Sequence, residues 1–90
     1  MKRAMIFKYQ SNRIYHANQQ GKVLAEILFP YEEGNIANIT HTVVDDSLKG
    51  QGIAGKLVQM AVEEIERSHK TPKFTCPYAA KWAEKNYKKC

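Results

Sequence analysis

Met5, Phe7 and Tyr9 alternate with polar residues near the start of the chain, the period-two pattern of a strand. Ser11-Asn12 is a turn signal, and Ile14 to Ala17 supplies a second strand. Gln19-Gln20-Gly21-Lys22 predicts another turn. Beyond it Val23, Ala25, Ile27 and Phe29 share one face of a third strand, with Leu24 and Leu28 on the other. Pro30 ends that strand, and Glu32-Glu33-Gly34-Asn35 predicts a hairpin loop. Ile36 to Val44 is rich in β-branched residues and reads as a fourth strand. The first half of the chain is therefore expected to be a four-strand antiparallel meander.

The period changes after Asp45-Asp46-Ser47. Ile53, Leu57, Val58, Ala61, Val62 and Ile65 recur at helical spacing and form one apolar stripe, while Lys56, Gln59, Glu63, Glu66 and Arg67 face water. The stripe is expected to pack on the sheet, and Ser68 to Pro72 to close the helix. Lys73 to Cys76 reads as a short strand. A connection through a helix lets that strand run parallel to the fourth. Pro77 suits the first turn of a final helix, with Ala79, Ala83 and Tyr87 along one side. The fold class is α+β. The whole chain, 1–90, reads as one domain without linker, repeat or low-complexity segment.

Charge and cysteine content narrow the function classes. Fourteen Lys and Arg against nine Asp and Glu give a formal charge of +5, which favours an anionic partner. The basic residues are scattered, with small clusters at Lys2-Arg3 and Lys88-Lys89. A nucleic-acid binder usually concentrates them on one stripe, so nucleic acid is not expected as a partner. No apolar run approaches the roughly 20 residues of a membrane span, and Met1–Phe7 is too short and polar for a signal peptide. Cys76 and Cys90 make no disulfide framework, and a cytosolic protein with reduced thiols is expected. His16, His41 and His69 are isolated and no metal-ligand spacing occurs.

The chemistry concentrates in Lys49-Gly50-Gln51-Gly52-Ile53-Ala54-Gly55-Lys56, between the fourth strand and the long helix. Glycines leave the main chain uncovered there. Consecutive N–H groups and the positive end of the helix dipole then act on one small volume, which suits a pyrophosphate. A P-loop is excluded, because Gly55-Lys56 is followed by Leu57 instead of Ser or Thr. A dinucleotide fingerprint is excluded too, because hairpins precede the loop instead of a parallel βαβ start. Turn geometry alone is the other explanation for Gly50 and Gly52.

This loop, and the order of meander, loop, helix, short strand and helix, resembles the GNAT acetyltransferase superfamily. The superfamily's loop reads Arg or Gln, two residues, Gly, one residue, then Gly or Ala. Lys49-Gly50-Gln51-Gly52-Ile53-Ala54 fills it with lysine in the first place. Together with Thr40-His41-Thr42-Val43-Val44 and Cys76-Pro77-Tyr78, it is similar to the minimal, single-domain YjdJ-like branch. The resemblance implies a small acetyl-CoA-dependent N-acetyltransferase. The pyrophosphate of acetyl-CoA or CoA would lie on the amides of Gln51 to Lys56, with Lys49 and Lys56 adding attraction. The pantetheine arm would pair with backbone groups at Val43 and Val44, where the fourth and fifth strands splay. A non-catalytic acyl-CoA-binding module is the alternative.

Two residues are candidates for catalysis. Cys76 falls at the N-cap of the last helix, where free N–H groups favour a thiolate. The resemblance implies an acetyl carrier there; a small buried core cysteine is the other reading. Imidazole is the side chain suited to general-base work near neutral pH, which makes His41 a candidate, but alternation places it with Ile39 and Val43, as a hydrogen-bonded core histidine. Asp45 and Asp46 suit either an amine substrate or a turn. Larger members of the superfamily carry a tyrosine general acid where this chain has Ala83, with Tyr87 one turn later. They also add two strands that help to enclose the acceptor. The acceptor, a small-molecule or protein amine, is therefore expected to meet an open side or one completed by another subunit. The chain is expected to be a monomer or a weak homodimer.

Overall fold

The alternating segments form strands β1 (Lys8–Gln10), β2 (Arg13–Ala17), β3 (Val23–Leu28), β4 (Tyr31–Glu32), β5 (Ile36–Ile39) and β6 (His41–Val44) in a computed structural model that describes residues 6–87. A 3-10 turn (Asp46–Leu48), helix α1 (Ile53–Arg67), strand β7 (Thr71–Phe74) and helix α2 (Pro77–Asn86) follow. Met5, the Lys2-Arg3 and Lys88-Lys89 clusters and Cys90 lie outside the described residues.

The meander is divided between two sheets. One is antiparallel with order β1-β2-β3-β6; the other has order β4-β5-β7, with β5 and β7 parallel. The segment expected as one fourth strand is two strands, because a bulge interrupts it. Thr40 N–H donates to Leu28 O (3.1 Å), yet the ladder pairs Leu28 with His41. Two residues thus oppose one, and the side-chain phase slips by one position. Ile39 stays buried, His41 and Val43 are exposed, and Thr42 and Val44 turn inward. The expected core histidine is therefore corrected: His41 lies on the open face of β6.

Strand β7 begins two residues earlier than expected and contains Pro72. It is an edge strand. Thr71 N–H bonds to Asn35 O (2.8 Å) and Thr75 N–H to Ile39 O (3.2 Å), so residue 72 directs its nitrogen away from β5. Proline's missing donor costs nothing there.

Helix α1 keeps the stripe read from the sequence. Leu57, Val58, Ala61, Val62 and Ile65 are buried with Ile14, Ala25, Ile27 and Ile39 of the sheets and Phe29 of the β3–β4 link. Each large side chain contributes about 1.5–3 kcal/mol by leaving water. Buried Ala79 and half-buried Trp82 of α2 complete the packing. Asn38, only 5% exposed, ties the second sheet together. Its amide donates to Glu32 (2.7 Å), its carbonyl accepts from the Thr75 hydroxyl (2.9 Å), and Lys73 pairs with Glu32 (3.3 Å).

Candidate functional site

The site begins where β6 runs out. Asp45 caps the 3-10 turn, accepting from Ser47 N (3.0 Å) and Ser47 Oγ (2.7 Å). The Ser47 hydroxyl and then its N–H hold the Asp45 carboxyl below the usual carboxylate range. Asp46 pairs with Lys49 at 3.1 Å. Both carboxylates therefore serve the turn.

The chain then needs two left-handed residues, Gly50 (φ 82°) and Gly52 (φ 74°), to enter α1. A Cβ at either would meet no protein atom within 4 Å, so the volume in front of them is open. Gly52 is the N-cap and offers no side-chain cap, and the first turn holds no acidic residue. The N–H groups of Ile53, Ala54 and Gly55 precede the first intrahelical bond, made by Lys56 N–H to Gly52 O (3.1 Å). An anion is the partner such a helix start favours.

Strand β6 supplies the opposite wall. Asp45 N–H donates to Leu24 O (2.7 Å), which sets the phase of the ladder. The backbone groups of His41 and Val43 then face β3 and those of Thr42 and Val44 face the free edge, which corrects the backbone pairing expected at Val43. Next to that edge, α2 leaves the sheet: Thr75 and Cys76 N–H share Ile39 O, at 3.2 and 3.0 Å. The result is an open groove of ≈ 490 Å³ lined by Thr42, Val43, Val44, Leu48, Lys49, Gly50, Gly52, Ile53, Ala54 and Tyr78.

Seven of the residues expected to bind cofactor line this groove: Val43, Val44, Lys49, Gly50, Gly52, Ile53 and Ala54. Gln51 is exposed on the turn. Lys56 is not brought to it; its amide is used within the helix and its ammonium lies over the Phe7 ring (5.9 Å). Gly55 is a contact residue, because a Cβ there would stand 3.2 Å from Tyr78 Oη and 3.6 Å from Trp82 Cδ1. Thr42, Leu48 and Tyr78 were not singled out as site residues from the sequence. Tyr78, 45% exposed, follows from its place one residue beyond Pro77 at the start of α2; Thr42 follows only from the bulge.

Cys76 is the N-cap of α2, as expected, and is 6% exposed just behind Thr42. Its Sγ lies 3.5 Å from Thr42 Oγ1. The thiol makes no cap hydrogen bond to the helix. Burial pushes the thiol up; the Thr42 hydroxyl and the N–H groups of Ala79, Tyr78 and Thr42 outweigh it, and the net shift is downward. Tyr87 is remote: its hydroxyl donates to Glu66 (2.8 Å), and its ring packs on Phe74.

Comparison with known proteins agrees with this geometry. A family described as GCN5-related N-acetyl-transferase matches residues 13–89. Protein NATD1 of Gallus gallus is 31% identical over 62 residues, 69% of this chain and 56% of NATD1, and the Mus musculus protein gives the same figures. The matched region thus spans little more than half the length of these curated relatives. The solution structure of a GCN5-like protein from Staphylococcus aureus superposes with a TM-score of 0.73 at 32% identity, covering 90% of this chain and 79% of that one. YhbS, a GNAT family N-acetyltransferase of Escherichia coli crystallised with CoA, shares the fold at a TM-score of 0.52 and 20% identity, over 61% of this chain and 33% of its own.

Proposed function

The chain belongs to the GCN5-related N-acetyl-transferase family, and on that premise we propose that it transfers an acetyl group from acetyl-CoA to an amine, using Cys76 as carrier. The observation that carries this reading is the uncapped start of α1 facing the free edge of β6 across one groove. The amides of Gly50 to Gly55 hold the pyrophosphate of the donor, with Lys49 beside it. The Thr42 carbonyl and the Val44 backbone face the free edge and suit an amide-bearing arm laid along β6, as an added strand would be. The donor supplies an activated thioester.

The protein's part is to place a nucleophile at the end of that arm. Cys76 sits where the edge of β6 meets the start of α2, and the N–H groups around its sulfur favour the thiolate. A small-molecule or protein amine then takes the acetyl group from Cys76. His41, on the other face of β6, has no role in this reading.

Calorimetry with CoA and intact mass after incubation with acetyl-CoA test the reading. Wild type is expected to bind CoA and gain one acetyl group, and Cys76→Ala to bind CoA but gain none. Absence of binding would remove the site; an equal adduct on Cys76→Ala would remove the carrier.

A further inference from the structure

Cys76 does not itself line the groove; Thr42 stands between it and the open volume. We propose that Thr42 is the positioning residue of this site: its hydroxyl accepts from the Cys76 thiol and turns to donate to the sulfur once that is ionised, holding Sγ toward the free edge of β6. The proposal rests on the carrier reading of Cys76.

Three structural facts converge on this pair. The bulge at Thr40 shifts the phase of β6, so that residue 42 directs its side chain inward and its N–H to the free edge. Ile39 O takes both Thr75 and Cys76 N–H, which fixes the Cys76 main chain beside that edge. The sulfur then lies 3.5 Å from the Thr42 hydroxyl, to which the thiol donates, at the N-cap of α2. No carboxylate or ammonium contributes to the sulfur's environment among the described residues; Tyr78 is its titratable neighbour on α2, and His41 faces the other side of β6. Hydrogen bonds thus do here what a cationic partner does at other reactive cysteines.

In the acyl step Sγ forms a bond to the acetyl carbon while the donor's own C–S bond breaks. The departing thiolate takes a proton from solvent, and the Thr42 hydroxyl is released from the sulfur as its charge disappears. In the second step the amine nitrogen bonds to the acetyl carbon, the Cys76 C–S bond breaks, and the nitrogen loses a proton to solvent. Sγ regains its charge and the hydroxyl returns to it.

The test titrates Cys76 by its 13Cβ chemical shift in the full chain, for wild type, Thr42→Val and Thr42→Ser, alongside acetyl-adduct formation. Thr42→Val is expected to raise the titration midpoint and slow acetylation near neutral pH by about tenfold, the scale of one hydrogen bond to a charged group. Thr42→Ser is expected to restore the midpoint and bring the rate within about twofold of wild type on the same basis. An unmoved midpoint in Thr42→Val overturns the proposal. Absence of any adduct in wild type overturns the carrier reading instead, because the titration does not depend on acetyl-CoA.

Discussion

The hydroxyl of Tyr78 stands 3.2 Å from the point a Cβ on Gly55 would occupy. One residue of α1 is thus kept bare so that α2 can approach, and Tyr78 reaches the groove as a result. Gly55→Ala gains about 1 kcal/mol of helix propensity but must push the tyrosine oxygen away. The gain is expected to be larger in a Tyr78→Phe background, where that oxygen is gone. A double-mutant cycle by urea denaturation measures the difference; strict additivity would show that the two residues do not touch.

Gly52 is required first by its backbone. At φ 74° a side chain is strained even though the space is open. Gly52→Val is expected to destabilise the fold by about 1–3 kcal/mol, and Gly52→Asn by less, because asparagine tolerates this region. Both are expected to weaken CoA binding, since either side chain enters the volume before the amides. Undiminished CoA affinity in Gly52→Asn would place the phosphate elsewhere.

The two lysines flanking the turn are expected to separate. Lys49 lines the groove and Lys56 leans on Phe7. Lys49→Ala is expected to weaken CoA binding by about 1 kcal/mol, roughly fivefold, at low salt, with the loss shrinking as salt screens the pair. Lys56→Ala is expected to leave affinity nearly unchanged. Calorimetry at two ionic strengths decides, and equal losses would contradict the geometry.

Acid stability should report the Asn38 network. Hydrogen bonds from Asn38 and Lys73 hold the Glu32 carboxyl below its ordinary value of 4.5. Its stabilising contribution is therefore fully present above that value and is lost as pH falls through the lower folded-state value. The stability gap between wild type and Glu32→Ala is expected to close below pH 4.5, the ordinary value, and to stay constant above it. Asn38→Ala, which removes the hydrogen bonds to Glu32 and to the Thr75 hydroxyl, is expected to cost about 1–3 kcal/mol at neutral pH. Chemical denaturation across pH provides both measurements.

Cys76 follows the same rule in alkaline conditions. Its thiol titrates below the ordinary value of 9.0 in the folded chain. A thiolate favoured by folding adds stability that is fully present above the unfolded value and is lost as pH falls through the folded one. Wild type is expected to gain on Cys76→Ala as pH rises toward 9.0, the ordinary value. A flat difference over that window would mean the sulfur stays neutral.

Short-range information determined much of this protein. The period-two and helical patterns placed β2, β3, α1 and α2 and the α1 stripe, because each rests on residues a few positions apart. The glycine turn and Cys76 at the start of α2 were legible for the same reason: φ limits and the fixed φ of Pro77 are local properties. Tertiary structure decided what depends on distant partners. Leu28 O bonds to Thr40, and the resulting slip exposes His41 and turns Thr42 toward Cys76. Pro72 is accepted in β7 because that strand has an outer edge without a neighbour. Gly55 is read correctly only when Tyr78 and Trp82 stand opposite it. A bulge, a sheet edge and a helix crossing are set by pairing between remote segments, and periodicity within one segment holds no record of them.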